Sequence, residues 1–411
     1  MMIPIPEQSL VLLLGPSGSG KSTLANAHFL PEDVLPGTGN ETKLHDEVAR
    51  RLAKGTLTVI DGVPLSAESR RHYVTLAREH HVALVAVAMD TPEALCLERN
   101  RTRSGSASPK ALRNQVQQLQ SALKGLTKEG IRHVHVLTPE TVGAVAFEHQ
   151  PLRCHRQYEH GPFDIIGDVH GCFDELKALL TKLGYVIGPR LGYLRYNEGF
   201  EVGGNEGRMV VFLGDLIDRG PGVVEVLKLV MGMVYAGRAL FVPGNHEIKL
   251  LKKLRGKDVR VGRGLAMTLE QLEREPPAFV QDVAEFIEGG PTHYVLADGR
   301  LVVAHAGLKE SMHGRDTPEV RDFALYGETT GEADAYGLPV RADWARDYRG
   351  PATVVYGHTP VPESEWVNNT LCVDTGCVFG GKLTALRYPE RELVSVSAQR
   401  EYWKSRSHAA P

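Results

Sequence analysis

Five short motifs in the second half of the chain carry side chains that could bind metal ions. In chain order they read GDVHG (167–171), GDLIDRG (214–220), GNHE (244–247), HAG (305–307) and GHT (357–359). Each motif closes an apolar run that reads as a buried strand. Loops at strand ends could therefore gather the candidate ligands around metal ions, and these ligands are Asp168, His170, Asp215, Asn245, His305 and His358.

The mixture of ligand types indicates which ions would bind and what reaction they would support. Carboxylate, imidazole and amide groups together suit Mn²⁺, Fe²⁺, Ni²⁺ or Zn²⁺ better than Ca²⁺, which takes oxygen ligands only. We predict two divalent transition-metal ions, with manganese expected and nickel or iron as alternatives. In such sites one carboxylate bridges ions about 3.5–4 Å apart, and a hydroxide between them attacks phosphorus in line. Asp215 is the predicted bridge, so the pattern predicts a metal-dependent phosphoesterase.

Three residues inside these motifs are predicted to act on the substrate rather than on a metal ion. His246 follows the candidate ligand Asn245 and could protonate the leaving oxygen. Asp218 could hold the His246 ring as an imidazolium and raise its pKa, or it could instead orient a metal ligand. Arg219 offers a planar fork for two phosphate oxygens.

The first part of the chain contains a complete phosphate-binding loop. Residues 15–22 read GPSGSGKS, which matches GxxxxGK[ST] between an apolar strand and a helix. Backbone N–H groups of such a loop bind phosphates, helped by the helix N-terminus. Lys21 would reach the β- and γ-phosphates, and Ser22 would bind Mg²⁺. We therefore predict an ATP and magnesium site formed by Gly15, Ser17, Gly18, Ser19, Gly20, Lys21, Ser22 and Thr23.

Apolar runs alternate with helical stretches in the first part of the chain and predict a parallel α/β sheet. The predicted strands are 9–14, 57–60, 82–89 and 133–137, and the predicted helices lie near 43–54, 67–79, 91–101 and 109–127. From residue 163 onward, the order of strands predicts a β-sandwich flanked by helices. The predicted fold class is α/β, with a P-loop domain at 1–140, a linker at 141–162, a phosphoesterase domain at 163–403 and a tail at 404–411.

The composition is that of an ordinary globular protein and disfavours several other classes. With 411 residues, 42% apolar and 24% charged, two domains are expected. The net charge of −3 gives no global positive field for nucleic acid. Five cysteines without a CxxC pair favour a reducing compartment over a disulfide framework or zinc ribbon. Without a signal peptide or an apolar run of roughly 18 residues, we expect a cytoplasmic protein that does not contact a membrane, and a homodimer is one assembly left open.

The order of the five motifs resembles that of the binuclear metallophosphoesterase superfamily. A closer resemblance, to the phosphatase module of bacterial polynucleotide kinase-phosphatase, spans nearly all of 163–398. The segments that carry it are FALYG (323–327), TTGE (329–332), YGLP (336–339), VYGHTPVP (355–362), VDTGCVFGG (373–381) and LTALRYPERE (383–392). The resemblance implies an RNA-repair enzyme that removes 2′- or 3′-phosphates from RNA or DNA ends, with 2′,3′-cyclic phosphates as a further substrate class.

The same resemblance implies that the first domain is similar to a polynucleotide 5′-kinase. In that family a Ser-Asp pair and a following arginine act as base and phosphate clamp after the P-loop helix. The segment 34–43 of this chain offers neither, and Asp33 or Asp46 would be the substitute bases. The sequence therefore predicts ATP binding and leaves phosphoryl transfer to a 5′-hydroxyl open.

A lid-like helix carries the remaining kinase features that the resemblance implies. Arg99, Asn100 and Arg103 resemble the family's phosphate-lid residues, so Arg99 and Arg103 join the predicted ATP site. A second lid arginine falls at Ser106, for which Arg113 is a substitute unless it is a plain surface residue. The family's third, ligase-like domain has no counterpart after about residue 403, so we expect other proteins to perform any sealing step.

Two other enzyme classes share the metal motifs and remain alternatives. One is a serine/threonine protein phosphatase, and the other is a dinucleoside-polyphosphate hydrolase. In either case the P-loop domain would act as a nucleotide sensor. A basic segment at 249–263 follows the His246 motif, and it could track a phosphate backbone or form a solvated helix face.

Overall fold

The chain divides into two compact units: the P-loop lies in the first, and the five motifs with candidate metal ligands lie in the second. The computed structural model describes residues 1–37, 40–62, 65–101, 107–191, 198–205, 207–333 and 339–404. One unit comprises residues 1–152 together with 315–317, and the other comprises residues 153–314 together with 318–411.

The first unit consists of strands that alternate with helices. Its strands are β1 (Met2–Pro6), β2 (Ser9–Leu14), β3 (Val34–Pro36), β4 (Thr58–Asp61), β5 (Ala83–Met89), β6 (His133–Leu137) and β7 (Ala146–Gln150). Its helices are α1 (Lys21–His28), α2 (Glu41–Ala53), α3 (Ala67–Glu79), α4 (Glu93–Arg101), α5 (Pro109–Leu123) and α6 (Pro139–Val142). A parallel sheet has the order β3-β4-β2-β5-β6, and β1 pairs in parallel with β7. The predicted parallel α/β architecture is confirmed.

Local sequence explains where these elements form. All six residues of β2 are buried, as expected for a central parallel strand covered on both faces. The side chains of Asn40, Ser66 and Ser108 each accept a backbone N–H three residues on, and so cap α2, α3 and α5. Capping residues of this kind satisfy donors that the first helical turn leaves without a partner.

The stretch predicted as a linker, 141–162, is more ordered than its sequence indicates. It contains the last part of α6, all of β7 and a short strand, β8 (His155–Arg156). The pattern is hard to recognise because β7 is an edge strand with four exposed residues and one half-buried residue, and therefore lacks an apolar face. The division between the two units falls between Leu152 and Arg153.

The second unit continues with strands that end in long loops. Its further strands are β9 (Phe163–Ile166), β10 (Tyr185–Leu191), β11 (Glu198–Gly204), β12 (Met209–Phe212), β13 (Ala239–Phe241), β14 (His293–Leu296), β15 (Leu301–Ala304), β16 (Thr329–Ala333), β17 (Pro339–Arg341), β18 (Thr353–Tyr356), β19 (Trp366–Val367), β20 (Thr370–Cys372), β21 (Lys382–Tyr388) and β22 (Glu392–Ser397). Its helices are α7 (Phe173–Lys182), α8 (Val223–Tyr235), α9 (Asn245–Leu254), α10 (Arg263–Leu272), α11 (Pro277–Gly289), α12 (Pro318–Tyr326) and α13 (Trp344–Asp347).

Two mixed sheets pack face to face in this unit, which confirms the predicted β-sandwich. One has the order β13-β12-β9-β21-β22 and the other β19-β20-β18-β15-β14-β8. Ile165 and Val211 of the first sheet share a buried cluster with Val303 and Val355 of the second. A larger apolar cluster covers the outer face of the first sheet and includes residues of α7, α8 and α11.

The direction of the strands brings the motif loops to common edges. In the first sheet β9, β12 and β13 run parallel. In the second sheet β15, β18 and β20 also run parallel. Because parallel strands end at the same edge of a sheet, the three loops that follow these strands lie side by side at one edge of each sheet. These six loops carry every candidate metal ligand.

A buried ion cluster at the start of β9 ties several elements of the second unit together. The Asp164 carboxylate is fully buried, and four side chains donate hydrogen bonds to it. These donors are Tyr185 (2.8 Å), Asn205 (3.2 Å), Arg208 (3.1 Å) and Arg387 (3.3 Å). The cluster thus connects β10 and the end of β11 with β9 and β21.

Replacing Asp164 with alanine should destabilise the second unit by about 3–5 kcal/mol, because the guanidinium of Arg208, only 11% exposed, would lose its fully buried anionic partner and keep only the exposed Glu390. Urea unfolding of the full chain, followed through its tryptophans, measures this change. Glu390→Ala is the matched control, because Glu390 also pairs with Arg208 but is 46% exposed. The control should cost less than about 1 kcal/mol. Equal effects of the two changes would contradict a stabilising role for the buried cluster.

Two further features of the fold concern the cysteines and the helices. All five cysteines are buried, and none of them forms a disulfide. Among the described residues, no helix has the length and apolar character that a membrane crossing requires.

Candidate dinuclear metal centre

The six predicted ligands lie on loops that converge at the ends of the parallel strands. Asp168, Asp215 and Asn245 follow β9, β12 and β13, while His305 and His358 follow β15 and β18. Asp168 and Asp215 are nearly fully buried, as are His170 and His305. Asp168 accepts the backbone N–H of His358 at 3.1 Å, and this hydrogen bond joins a loop of one sheet to a loop of the other.

Asp215 lies between two groups of nitrogen and oxygen atoms. Its Oδ2 is 3.6 Å from His170 Nε2, whereas its Oδ1 is 3.5 Å from His305 Nε2. His305 Nε2 is also 3.1 Å from Asn245 Oδ1 and 3.0 Å from His358 Nδ1. The two carboxylate oxygens therefore face different neighbours, as a bridging ligand requires.

Hydrogen bonds to backbone carbonyls fix the orientation of two imidazoles. His170 Nδ1–H donates to the Ile217 carbonyl at 2.7 Å, and His305 Nδ1–H donates to the Leu213 carbonyl at 2.8 Å. Each ring then presents an unprotonated Nε2 to the centre, which is the form that binds metal. Burial lowers the pKa of both imidazoles and keeps them neutral.

The chemistry of this donor set fits a pair of divalent cations. Burial, with the negative charges of Asp374 and Asp215, raises the pKa of Asp168. Burial also raises the pKa of Asp374 to about 7. Cations between these carboxylates would offset their repulsion and would offer a common partner to the facing nitrogens of His305 and His358. Asp168, His170, Asp215, Asn245, His305 and His358 would hold the ions.

The three residues predicted to act on substrate lie together beside this cluster. His246 Nδ1 is 2.5 Å from Asp218 Oδ2, and Thr268 donates to the other oxygen of Asp218, also at 2.5 Å. Arg219 directs one N–H at His170 Nε2 (2.8 Å) and another at His246 Nε2 (3.1 Å). Burial lowers the pKa of His246, but the charge of Asp215 and the hydrogen bond to Asp218 outweigh it, so the pKa is raised overall.

Backbone strain is concentrated in these loops. Five residues of these loops have a positive φ between 45° and 73°, a backbone conformation that residues other than glycine rarely adopt. They are His170, Asp215, Asp218, Arg219 and His358. Such strain costs on the order of 1–3 kcal/mol per residue and is typical of functional sites. A Cβ on Gly244 would collide with the Asp215 carboxylate, and one on Gly357 would collide with that of Asp168. Both glycines make room for candidate ligands.

The P-loop of the first unit lines a cavity of about 550 Å³. Gly18, Ser19, Gly20, Lys21, Ser22, Thr23 and Arg99 of the predicted ATP site are among its lining residues. The Lys21 ammonium donates to the carbonyls of Gly15 and Pro16 at 2.8 and 2.9 Å. A Cβ on Gly62 would lie 3.8 Å from Lys21 Cε, which places the Asp61–Gly62 strand end close to this lysine.

Contacts from the lid-like helix hold the other side of the P-loop. Asn100 accepts the Ser17 hydroxyl at 3.0 Å, and Arg99 donates to the Gly18 carbonyl at 3.5 Å. Arg113, the proposed substitute lid arginine, pairs with Glu93 at the surface, which fits a plain surface role. The predictions for Arg103 and Ser106 lie outside the described residues, as do Thr38 and Gly39 of the segment 34–43 and Tyr336, Gly337 and Leu338 of the YGLP segment.

Comparison with known families identifies the second unit. The profile described as Calcineurin-like phosphoesterase matches residues 161–388, more than half of the chain. The chain belongs to this family. Membership implies divalent metal ions in the phosphoesterase centre. A second profile, described as an AAA domain, matches residues 38–126 of the first unit, a range that begins after the P-loop.

Named relatives of the phosphoesterase unit include two bacterial enzymes. The Anoxybacillus flavithermus protein called bis(5′-nucleosyl)-tetraphosphatase PrpE [asymmetrical] is 45% identical over 244 residues, which cover 58% of this chain and 96% of that relative. The Bacillus subtilis protein of the same name is 46% identical over 248 residues, 59% of this chain and 98% of the relative. A crystal structure assigned to a diadenosine tetraphosphatase aligns with a TM-score of 0.43 and 25% identity, over 60% of this chain and 97% of that one.

Several residues of the phosphoesterase centre were missed by the sequence analysis. Glu247 is fully buried, and its carboxylate accepts the backbone N–H groups of Asp215, Leu216 and Gly244 at 2.8 Å each. It thereby holds the Asp215 loop in place. Asp374, on the loop after β20, adds a further buried carboxylate near Asp168. The sequence did offer one indication of this role, because Asp374 follows β20 as His305 follows β15 and His358 follows β18.

Arg341 is another missed residue of the phosphoesterase centre. Its positive charge contributes to lowering the pKa of His305 and His358, after burial as the main cause. Its guanidinium donates to the Tyr326 carbonyl. Burial lowers the pKa of Arg341, and the negative charge of Asp215 offsets part of this lowering. A Cβ on Gly327 would lie 3.9 Å from an Arg341 guanidinium nitrogen and 4.0 Å from the Cβ of Ala306, the residue after His305, so this guanidinium lies beside the loop of a candidate ligand.

Replacing Arg341 with glutamine should lower kcat/KM for phosphoester substrates by about 10- to 100-fold, the effect of losing one charged hydrogen bond. Steady-state kinetics measure this change. Arg346→Gln is a matched control, because Arg346 is 79% exposed and already pairs with Asp343. Unchanged kinetics in Arg341→Gln would remove this arginine from the centre.

Proposed function

We propose that the second unit is a dinuclear metal hydrolase that cleaves dinucleoside tetraphosphates asymmetrically. The observation that supports this most is the 45% identity with a bis(5′-nucleosyl)-tetraphosphatase over 96% of its length. A four-phosphate chain has three anhydride bonds, and cleavage of the central one would give two equal halves. Asymmetrical cleavage therefore breaks an outer bond and yields a nucleoside monophosphate and a nucleoside triphosphate.

The residues of the centre have separable roles in this reaction. Arg219 and Arg341 would bind the non-bridging oxygens of the phosphate that is attacked. In the substrate complex Arg219 would turn its N–H from His246 Nε2 to the phosphate. His246 would then carry a proton at Nε2 and give it to the leaving oxygen, with Asp218 and Thr268 fixing the ring. Divalent ions, with manganese proposed, would activate the attacking water and neutralise charge on the phosphoryl group.

The first unit is proposed to bind ATP and Mg²⁺ through its P-loop. The 550 Å³ cavity and the position of Lys21 at the start of α1 support this role. Among the described residues that line the cavity there is no carboxylate to act as the family's base, and Arg99 is the single arginine. ATP binding without polynucleotide kinase activity is therefore the proposal for this unit.

A second candidate function is removal of 2′- or 3′-phosphates from polynucleotide ends. The basic segment after His246 favours it, because Lys252, Lys253, Lys257 and Arg260 are all exposed. Such a surface could hold the phosphodiester backbone of an RNA or DNA end. Long segments of the second unit also resemble the phosphatase of polynucleotide kinase-phosphatase.

A direct competition between substrates tests the two candidates. The full chain, purified and supplied with Mn²⁺, is assayed on diadenosine tetraphosphate, on 3′-phosphorylated RNA and DNA, and on a phosphopeptide. We expect AMP and ATP from the tetraphosphate, with kcat/KM at least tenfold (~1.4 kcal/mol) above that for the other substrates. Higher kcat/KM on the 3′-phosphorylated ends would replace the first candidate with the second.

Lys21→Ala separates the two units in this assay. It should abolish ATP binding by the first unit and leave hydrolysis of the tetraphosphate unchanged, because Lys21 belongs to the P-loop alone. Loss of hydrolysis together with ATP binding would contradict the assignment of the two activities to separate sites.

A further inference from the structure

An arginine and a tryptophan stack beside the phosphoesterase centre. Arg263 Cζ is 5.0 Å from the centroid of the Trp403 ring, within the range of a cation–π contact. Arg263 is exposed and Trp403 is half-buried. Among the described residues, no carboxylate lies within ion-pair distance of Arg263. The stacking of Arg263 on the Trp403 indole is therefore not a by-product of an ion pair with a nearby carboxylate.

The arginine side of this pair adjoins Asp218. Arg263 begins α10, and a Cβ on the next residue, Gly264, would lie 3.4 Å from Asp218 Cβ. One turn further along the same helix, Thr268 donates to the Asp218 carboxylate. The helix that carries Arg263 is thus the helix that supports the His246–Asp218 pair.

The tryptophan side of the pair reaches Arg219 by a different route. The backbone N–H groups of Tyr402 and Trp403 both donate to the Val378 carbonyl at 3.0 Å. The next residue, Phe379, has its ring 5.2 Å below the guanidinium of Arg219. Two independent sets of contacts therefore hold this pair near the phosphoesterase residues, Arg263 through Asp218 and Trp403 through Arg219.

We propose that Arg263 and Trp403 form a stacking subsite for a nucleobase of the substrate. Indole rings and guanidinium planes both stack on bases, and this contact tolerates any base because every base has a π-face. A nucleobase is separated from its phosphate by one ribose, which suits a stacking surface beside the phosphate-binding residues. The subsite deepens the proposed function, on which it rests, by selecting nucleotides over other phosphate esters.

The test compares a nucleotide with its base-free counterpart. AMP and ribose 5-phosphate are titrated into the full chain with Mn²⁺, and binding is followed by quenching of tryptophan fluorescence. The chain has three tryptophans, Trp344, Trp366 and Trp403, all in the second unit, so the signal does not report the P-loop. We expect AMP to bind about tenfold more tightly than ribose 5-phosphate.

Variants then identify the residues responsible. Arg263→Gln should weaken AMP binding by about tenfold and leave ribose 5-phosphate unchanged. Trp403→Phe should lose most of the quenching while AMP still binds by calorimetry. Arg391→Gln is the matched control, because Arg391 stacks on Trp366 at 3.7 Å and that pair belongs to strand ends remote from the motif loops. The control should not change AMP binding.

The outcomes distinguish this inference from the proposed function. Equal affinity for AMP and ribose 5-phosphate, or equal effects of Arg263→Gln and Arg391→Gln, would overturn the stacking subsite even if the tetraphosphate is hydrolysed. Tighter AMP binding that depends on Arg263, in a protein that does not cleave the tetraphosphate, would support the subsite and reject only the proposed reaction.

Discussion

Asp215→Asn is expected to reduce phosphoesterase activity by at least about 10³-fold, the largest effect of any single change considered for this protein. The two oxygens of Asp215 lie 3.5 and 3.6 Å from imidazole nitrogens of different ligand groups. Asparagine keeps the size of the side chain and one acceptor oxygen, but it removes the negative charge that would hold both cations. The fold should be retained, because the buried core does not depend on this charge.

Initial rates on the preferred substrate across a range of Mn²⁺ concentrations measure this effect. Asp174→Asn provides the matched control, because Asp174 is an exposed carboxylate on α7 that pairs with Lys177. The control should retain full activity. An Asp215→Asn protein with more than a tenth of the original rate at saturating Mn²⁺ would show that Asp215 is not the shared ligand.

His246→Ala should have the second largest effect, a loss of about 10²–10⁴-fold in kcat. If His246 protonates the leaving oxygen, the loss depends on the leaving group. It should be largest for an alkyl phosphate such as glycerol 2-phosphate, whose alkoxide needs the proton. It should be much smaller for p-nitrophenyl phosphate, whose leaving group departs as a stable anion.

Asp218→Asn and Thr268→Val refine this prediction. Both residues hold the His246 ring through 2.5 Å hydrogen bonds in series, so their removal should reproduce part of the loss with the same dependence on leaving group. An equal loss on alkyl and p-nitrophenyl substrates in His246→Ala would assign His246 to binding instead of proton transfer.

The central strands were predictable from sequence because burial on both faces leaves an uninterrupted apolar run. β2 occupies the predicted residues 9–14, and β6 occupies the predicted 133–137. Of the elements that were missed, β3 and β7 bury little apolar surface, whereas β1 buries Ile3 and Ile5 completely but its apolar run is interrupted by Pro4 and Pro6. β1, β3 and β7 are short or lie at sheet edges, and hydrogen bonds to a neighbouring strand define them.

The candidate site was predictable where chemistry is concentrated in a local motif. Asp374 and Arg341 were missed because their relevance comes from topology, and the role of Glu247 was missed, although it lies in the GNHE motif, because its hydrogen bonds to the Asp215 loop are visible only in the structure. Asp374 reaches the centre only because β20 runs parallel to β18, a pairing that no local pattern predicts. Substrate class is still harder to infer, since the metal motifs are common to several reactions and the residues that contact the rest of the substrate are few.

Anomalous diffraction at the manganese edge, from crystals of the full chain grown with Mn²⁺, tests the central claim most directly. We predict two manganese ions about 3.5–4 Å apart among the six motif residues, with one oxygen of Asp215 directed at each ion. A single ion, or two ions bound in separate cavities without a shared carboxylate, would contradict a dinuclear centre in this phosphoesterase.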